Sequence, residues 1–196
     1  MNIGKKEVAG WIRWLHIYLS MFSFGTLLFF AVTGITLNHT EWIEGKQTIT
    51  QHDGMIDSSW VTNGVPDVRE LEIVEYLRNT YHIRAPLKDF STDDEECMIS
   101  FKGPGYNADA FISRPLGSYE LTITESGLVA VMNDLHKGRD SGSVWAGLID
   151  VSAVLMILVS LTGLAMIFFL RKWRPPGLTL SLIGFVLLVI IYFLFV

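Results

Sequence analysis

The sequence predicts a membrane α-helical protein with three transmembrane helices and a small external α+β domain inserted between helices 1 and 2. Its composition is the first observation: 50% of the 196 residues are hydrophobic and only 18% are charged. The second is that the apolar residues cluster in three long runs, which is typical of membrane proteins. The third is a polar stretch between the first two runs that is long enough for a small folded domain.

The three apolar runs predict membrane helices at residues 11–37, 143–170 and 177–196. A helix of about 20 residues, rising about 1.5 Å per residue, crosses a hydrocarbon core of about 30 Å. The first run ends in LNHTEW without a small-residue cleavage site, so we expect it to remain as an anchor.

Basic residues flank two of these helices and predict the orientation of the chain. We expect residues 1–10 to be a cytoplasmic tail and residues 171–176 a cytoplasmic turn, because cytoplasmic loops carry an excess of lysine and arginine. Residues 38–142 and the C-terminus are then external. The basic residues concerned are Lys5, Lys6, Arg13, Arg171, Lys172 and Arg174.

The external stretch contains one helical pattern followed by several short strand patterns. Leu71, Val74, Leu77 and Tyr81 recur at helical spacing and predict an amphipathic helix over residues 68–81, with Asp67 as a candidate cap. The following runs LKDFS, ECMISFKGPG, YNADAFISRP and SYELTITE predict three or four strands separated by turns.

Charge and cysteine content exclude several functional classes. The formal net charge is −5, and no basic face for nucleic acid is visible. The single cysteine, Cys97, excludes an intrachain disulfide and any paired-cysteine metal motif, and we expect it to be a buried strand residue. No hydrolase triad order, phosphate-binding loop or dinucleotide glycine motif occurs.

The first apolar run carries ionisable residues at both ends. His16 and His39 are separated by enough helix to place them near opposite membrane faces, and His16, Ser20 and Ser23 share one face that should turn toward a neighbouring helix. On these grounds alone, His16 is either a buried packing residue or a ligand. Asp150 in the second run is either a shallow interfacial residue or one that faces a polar cavity.

The segments WIRWLHIYLS, FFAVTGITLNHTEW and LHKGRDSG, arranged around an external insert, resemble the PepSY-associated transmembrane family and its small bacterial branch. The resemblance implies a PepSY-like fold for residues 38–142, which would be periplasmic, and a location in the bacterial inner membrane. Larger relatives include ferrisiderophore reductases that carry haem between their membrane helices.

The resemblance implies haem b as cofactor, with His16, His39 and His136 as the positions that fit ligands of haem iron. His39 and His136 both lie next to helix ends and would form an outer pair. Arg139 and Arg13 would pair with haem propionates, although Arg13 is also explained as a cytoplasmic-side charge.

His16 lacks a second histidine at its depth. It would therefore need a partner subunit, or a homodimer packed through the face of His16, Ser20 and Ser23. His52 and His82, in the external domain, have no second ligand at metal spacing, and we expect them to be structural or solvent-facing.

Two functions remain open on this evidence. In the first, the protein is a haem-b electron-transfer protein or subunit, for example a transmembrane ferric reductase, that passes electrons toward a periplasmic acceptor such as a ferric chelate. In the second, it is a haemless accessory or binding module that the lipid bilayer anchors beside a membrane complex.

Overall fold

The computed structural model describes residues 4–42, 47–61 and 68–196. Its helices are α1 (Lys5–Asn38), α2 (Glu70–Tyr81), α3 (Leu128–Lys137), α4 (Gly142–Ile167) and α5 (Arg174–Phe195). Its strands are β1 (Gln47–Met55), β2 (Leu87–Thr92), β3 (Glu96–Gly103), β4 (Tyr106–Ser113) and β5 (Ser118–Ser126). The chain divides into two compact units, one of Met1–Phe29 with Asp150–Val196 and the other of Phe30–Ile149.

Helices α1, α4 and α5 are long and apolar enough to cross a membrane, which confirms the prediction of three such helices. Each exposes many large apolar side chains, and α5 buries no residue at all. Such surfaces are costly in water and favourable in lipid, so these helices suit a bilayer environment. Helix α4 begins at Gly142.

The polar stretch between α1 and α4 folds into a five-stranded antiparallel sheet in the order β1-β5-β4-β3-β2. The predicted strands from residue 85 onward correspond to β2, β3, β4 and β5. Strand β1 was not predicted, because its side chains are largely exposed on both faces and show no alternation of apolar and polar residues. Helix α3 was also missed, since its sequence LVAVMNDLHK read as a simple return to the membrane.

Helix α2 supplies one side of the core of this domain. The predicted amphipathic helix is present, and Val74 and Leu77 of its predicted apolar face are buried together with Ile73, in one cluster with the inward side chains of the sheet. Leu71, also predicted for that face, is 70% exposed. Cys97 is fully buried in β3, as expected. Burying a side chain such as Leu77 contributes about 1.5–3 kcal/mol of hydrophobic free energy. The candidate cap Asp67 lies outside the described residues.

Three tyrosine hydroxyls meet where α2 lies against β5. The Tyr119 hydroxyl is 2.7 Å from that of Tyr81 and 3.5 Å from that of Tyr76. Burial, together with these two hydroxyls, raises the pKa of Tyr119, so that it stays protonated at neutral pH. A Cβ on Gly54 of β1 would lie 2.4 Å from the Tyr119 hydroxyl oxygen, which explains why glycine stands there.

We expect Gly54→Ala to destabilise the sheet domain between α1 and α4, because the added methyl must displace a buried, hydrogen-bonded ring. Overpacking of this kind costs about 1–3 kcal/mol. Thermal unfolding of the purified protein in detergent, followed by tyrosine circular dichroism, measures the loss. Gly103→Ala in β3 is the matched control, since its Cβ would meet only the Ala85 Cβ at 3.7 Å. Equal melting of the two variants would contradict the close approach of Gly54 to Tyr119.

Candidate functional site

His16 lies in the first unit, where its ring contacts α4. Its Nδ1 is 2.9 Å from the Thr162 hydroxyl oxygen. That hydroxyl has a single hydrogen, which it donates to the carbonyl of Leu158 at 2.8 Å or of Val159 at 3.0 Å. When the hydroxyl donates to one of these carbonyls, its oxygen can accept a hydrogen bond from His16 Nδ1–H. In that tautomer Nε2 carries the free lone pair of the imidazole.

The residue after Thr162 is a glycine that makes room for the same ring. A Cβ on Gly163 would lie 3.2 Å from His16 Cε1, tighter than an ordinary van der Waals contact. Small residues allow such close approaches between membrane helices. Thr162 and Gly163 together therefore form a seat that fixes the position of the imidazole.

The predicted polar face of α1, formed by His16, Ser20 and Ser23, makes its contacts within a single chain. Ser23 is fully buried, and Ser20 donates to the His16 carbonyl at 2.6 Å. The expectation that this face turns toward a neighbouring helix is thus met by α4. The homodimer expected through His16, Ser20 and Ser23 stays a prediction; within the single chain Ser23 is fully buried.

His136 lies in the second unit, where α3 packs against the C-terminal part of α1. Its Nδ1 is 2.5 Å from the hydroxyl oxygen of Thr33, which is itself buried. The Phe30 ring packs edge-to-face with the imidazole at 5.1 Å between centroids. A Cβ on Gly34 would lie 3.8 Å from His136 Cε1, at ordinary contact distance.

The two imidazoles are thus held by the same pair of residue types. Thr33 and Gly34 stand in AVTGIT, and Thr162 and Gly163 stand in SLTGLA. Gly34 precedes Asn38, the last residue of α1, by four positions, and Gly163 precedes Ile167, the last residue of α4, by four. This repeated Thr-Gly pair is visible in the sequence and marks both histidine seats. It was not among the predicted site residues.

His39 follows the end of α1 and has a different kind of partner. Its Nδ1 is 3.2 Å from a carboxylate oxygen of Glu41, and its side chain is 37% exposed. The structure therefore gives His39 and His136 separate oxygen partners. Among the described residues, no group of three or more His, Cys, Asp or Glu side chains is placed to hold a metal ion.

The two remaining histidines have structural roles in the external domain. The His52 ring packs on that of Tyr81 at 4.7 Å between centroids. His82 ends α2 in the left-handed conformation, with φ of 56°, and its backbone N–H caps the helix on the Arg78 carbonyl. Both agree with the expectation that they are structural or solvent-facing.

The arginines and the acidic residue considered from sequence lie at separate places. Arg13 lines a cleft of about 40 Å³ in the first unit, with Met166 and Phe169. Arg139 lines a larger polar pocket in the second unit, with Lys102. Asp150 is exposed on α4.

The seat of His16 predicts its tautomer. In protein labelled with ¹⁵N-histidine, we expect the His16 signals of an imidazole protonated on Nδ1 and unprotonated on Nε2. Thr162→Val keeps the size of the side chain but removes the acceptor, so the Nδ1-protonated form should lose its dominance. Thr26→Val is the control, because the Thr26 hydroxyl donates to the Ser23 carbonyl in α1. An unchanged His16 spectrum in Thr162→Val would contradict the assigned hydrogen bond.

Comparison with known proteins identifies the family of this chain. The family described as PepSY_TM-like matches residues 10–196, which include most of α1, the whole sheet and all of α4 and α5. No curated protein and no solved structure gives a significant match. The match agrees with the resemblance seen in the sequence. The chain belongs to the PepSY_TM-like family.

Proposed function

We propose that the protein is a haem-b electron-transfer protein of the bacterial inner membrane, which passes electrons toward a periplasmic acceptor such as a ferric complex. One observation carries this proposal. Each of the three histidines expected to be ligands has an oxygen atom beside its Nδ1, from Thr162, Thr33 or Glu41. The opposite nitrogen, Nε2, is the one that such an arrangement prepares for a metal.

The donor chemistry of these residues fits haem. A histidine that ligates a metal commonly donates its other N–H to an oxygen, which fixes the tautomer and the orientation of the ring. The contacts described for His52 and His82 include no such oxygen at Nδ1, so the feature distinguishes the expected ligands from the other histidines. Haem held by two imidazoles supplies one-electron exchange without an open coordination position.

The protein's own residues would hold and orient the ligands. Thr162 keeps the His16 proton on Nδ1, and Gly163 lets the ring approach α4. Thr33 and Phe30 hold His136 from two sides. These contacts reduce the reorganisation that binding would otherwise require.

We keep His39 and His136 as the proposed outer ligand pair. The side chain of His39 is 37% exposed, and its Nδ1 lies 3.2 Å from the Glu41 carboxylate. His16 has no histidine partner in α4 or α5, and we propose that its second ligand comes from another chain, either a second copy or a partner subunit. Arg13 and Arg139 stay proposed partners of the propionates.

The proposed orientation follows from the basic residues at the ends of α1 and α4. A cytoplasmic N-terminus places residues 38–142 and the C-terminus in the periplasm, with residues 171–176 as a cytoplasmic turn. The helices α1, α4 and α5 suit three crossings.

Reporter fusions test this orientation. An alkaline phosphatase fusion after Gly105 should be active, and a fusion after Arg174 should be inactive, because alkaline phosphatase folds only outside the cytoplasm. A green fluorescent protein series at the same two positions is the complementary control. Fluorescence after Gly105 would place the external domain on the wrong side for a periplasmic acceptor.

The haem content of histidine variants tests the cofactor. His16→Ala, His39→Ala and His136→Ala should each lower the reduced-minus-oxidised difference signal of b-type haem per protein, because each removes a proposed axial ligand. His82→Ala is the matched control, since His82 caps α2 and is exposed. Equal haem content in all four variants would remove the assignment.

A haemless accessory module is the second candidate function. Strands β1 and β2 lie at the two edges of the sheet, and β1 exposes Ile49 and Met55. An exposed edge accepts an added strand through main-chain hydrogen bonds. A colourless preparation from haem-replete cells would favour this function over electron transfer.

A further inference from the structure

A polar pocket of about 240 Å³ lies in the external domain, and neither proposed function uses it as a binding site. It is lined by the starts of β1 and β4, the ends of β3 and β5, and Asp134 of α3 with two residues that follow this helix. Lys102, Tyr106, Asn107, Asp134, Arg139 and Asp140 supply its chemistry. At about 30 Å³ per water molecule, the pocket holds the volume of about eight waters.

Asn107 presents a buried acceptor that lacks a donor. Its amide nitrogen donates to Asp109 at 2.5 Å, and the other Asp109 oxygen accepts from Ser100 at 2.6 Å. These bonds orient the amide. Its oxygen, Oδ1, is buried and has no hydrogen-bond partner among the described residues. Buried acceptors are nearly always paired, so this oxygen marks a place where a donor is missing.

The charged side chains that line the pocket differ in whether they have a bonded partner. Asp140 accepts from Lys88 at 2.9 Å, and Asp134 accepts from the Gly105 backbone N–H at 2.9 Å. Lys102 and Arg139 form no ion pair within the part of the chain that the structure describes. Two cations are therefore available to a ligand. Of the two acidic groups, Asp140 is paired with a cation, whereas Asp134 accepts from a neutral N–H and keeps its charge.

Tyr106 adds a further donor to the pocket. Burial, with a smaller contribution from the nearby Glu125 carboxylate, raises the pKa of the Tyr106 hydroxyl. The group is therefore protonated at neutral pH and donates a hydrogen bond. Like the two cations, it favours an anionic ligand.

We propose that this pocket binds a small dicarboxylate with a hydrogen-bond donor, either hydroxyl or ammonium, on the carbon next to one carboxylate. The two carboxylates match Lys102 and Arg139, and the donor matches Asn107 Oδ1. The size of the pocket suits a ligand of about eight or nine non-hydrogen atoms, judged by its water-equivalent volume. The proposal stands on the external domain alone and does not depend on haem.

Three four-carbon dicarboxylates test it directly. Succinate lacks the donor, L-malate carries a hydroxyl and L-aspartate carries an ammonium. Isothermal titration of the full chain in detergent should show at least one of the two donor-bearing compounds binding about tenfold tighter than succinate, since one hydrogen bond to a buried group is worth about that ratio. The tighter of L-malate and L-aspartate identifies which donor the pocket takes.

Variants separate the roles of the lining residues. Asn107→Leu removes the acceptor and should abolish the preference over succinate. Lys102→Gln and Arg139→Gln should each weaken the binding of all three compounds by about tenfold, because each removes one charge-assisted contact. Lys137→Gln is the matched control, because Lys137 is exposed on α3 and does not line the pocket. Far-UV circular dichroism checks that every variant is folded.

Two results would overturn the proposal. One is the absence of binding of all three compounds at millimolar concentration. The other is succinate binding as tightly as both L-malate and L-aspartate to the unchanged protein. Haem content, measured on the same Arg139→Gln sample, separates the pocket from the propionate role: unchanged ligand affinity with lost haem would assign Arg139 to haem and contradict its place here.

Discussion

Two histidine–threonine hydrogen bonds determine how the long apolar helices pack against their neighbours. Each bond pairs a polar imidazole that lies between helices. His16 bonds to Thr162 and His136 bonds to Thr33, across 146 and 103 positions of sequence. An unpaired polar group in a low-dielectric region is costly, so each pair favours one mutual position of its two helices. The threonine hydroxyls suit this task, because they satisfy the histidine and a carbonyl of their own helix together.

A glycine follows the threonine in each of these two seats. A side chain at Gly163 would press on the His16 ring, whereas a Cβ at Gly34 would lie at ordinary contact distance from His136. The principle seen at Gly163 appears again in the sheet domain, where Gly54 admits the Tyr119 ring. At Gly163 and Gly54 the close approach of a ring to the backbone, and not local propensity, favours glycine.

The two proposed sites differ in the physics that would make them work. His16 and His136 lie beside threonine hydroxyls, and the tautomer of each imidazole decides which ring nitrogen is free. The pocket around Asn107 is polar. There the cations of Lys102 and Arg139, which form no ion pair among the described residues, and the unpaired Asn107 Oδ1 define the proposed ligand. The external domain supports that pocket through its own core, in which α2 and the sheet bury a common apolar cluster.

The sequence alone determined the features that depend on local pattern. Apolar run length predicted the three long helices, helical spacing predicted α2, and the quoted segments predicted the family, which the match over residues 10–196 confirms. Residue type also selected His16, His39 and His136 as candidates, and their ligand role stays a prediction. Strand β1 was not predicted from the sequence, because its exposed side chains show no alternation of apolar and polar residues. Its pairing with β5 makes it a strand.

Only the tertiary structure decided which distant residues meet. It paired His16 with Thr162 and buried Ser23. It also brought Arg139 and Lys102 to the lining of one pocket and left the Asn107 oxygen without a donor among the described residues. Such facts are absent from sequence periodicity because hydrogen bonds and buried charges depend on separation in space, and packing brings together side chains that lie far apart along the chain.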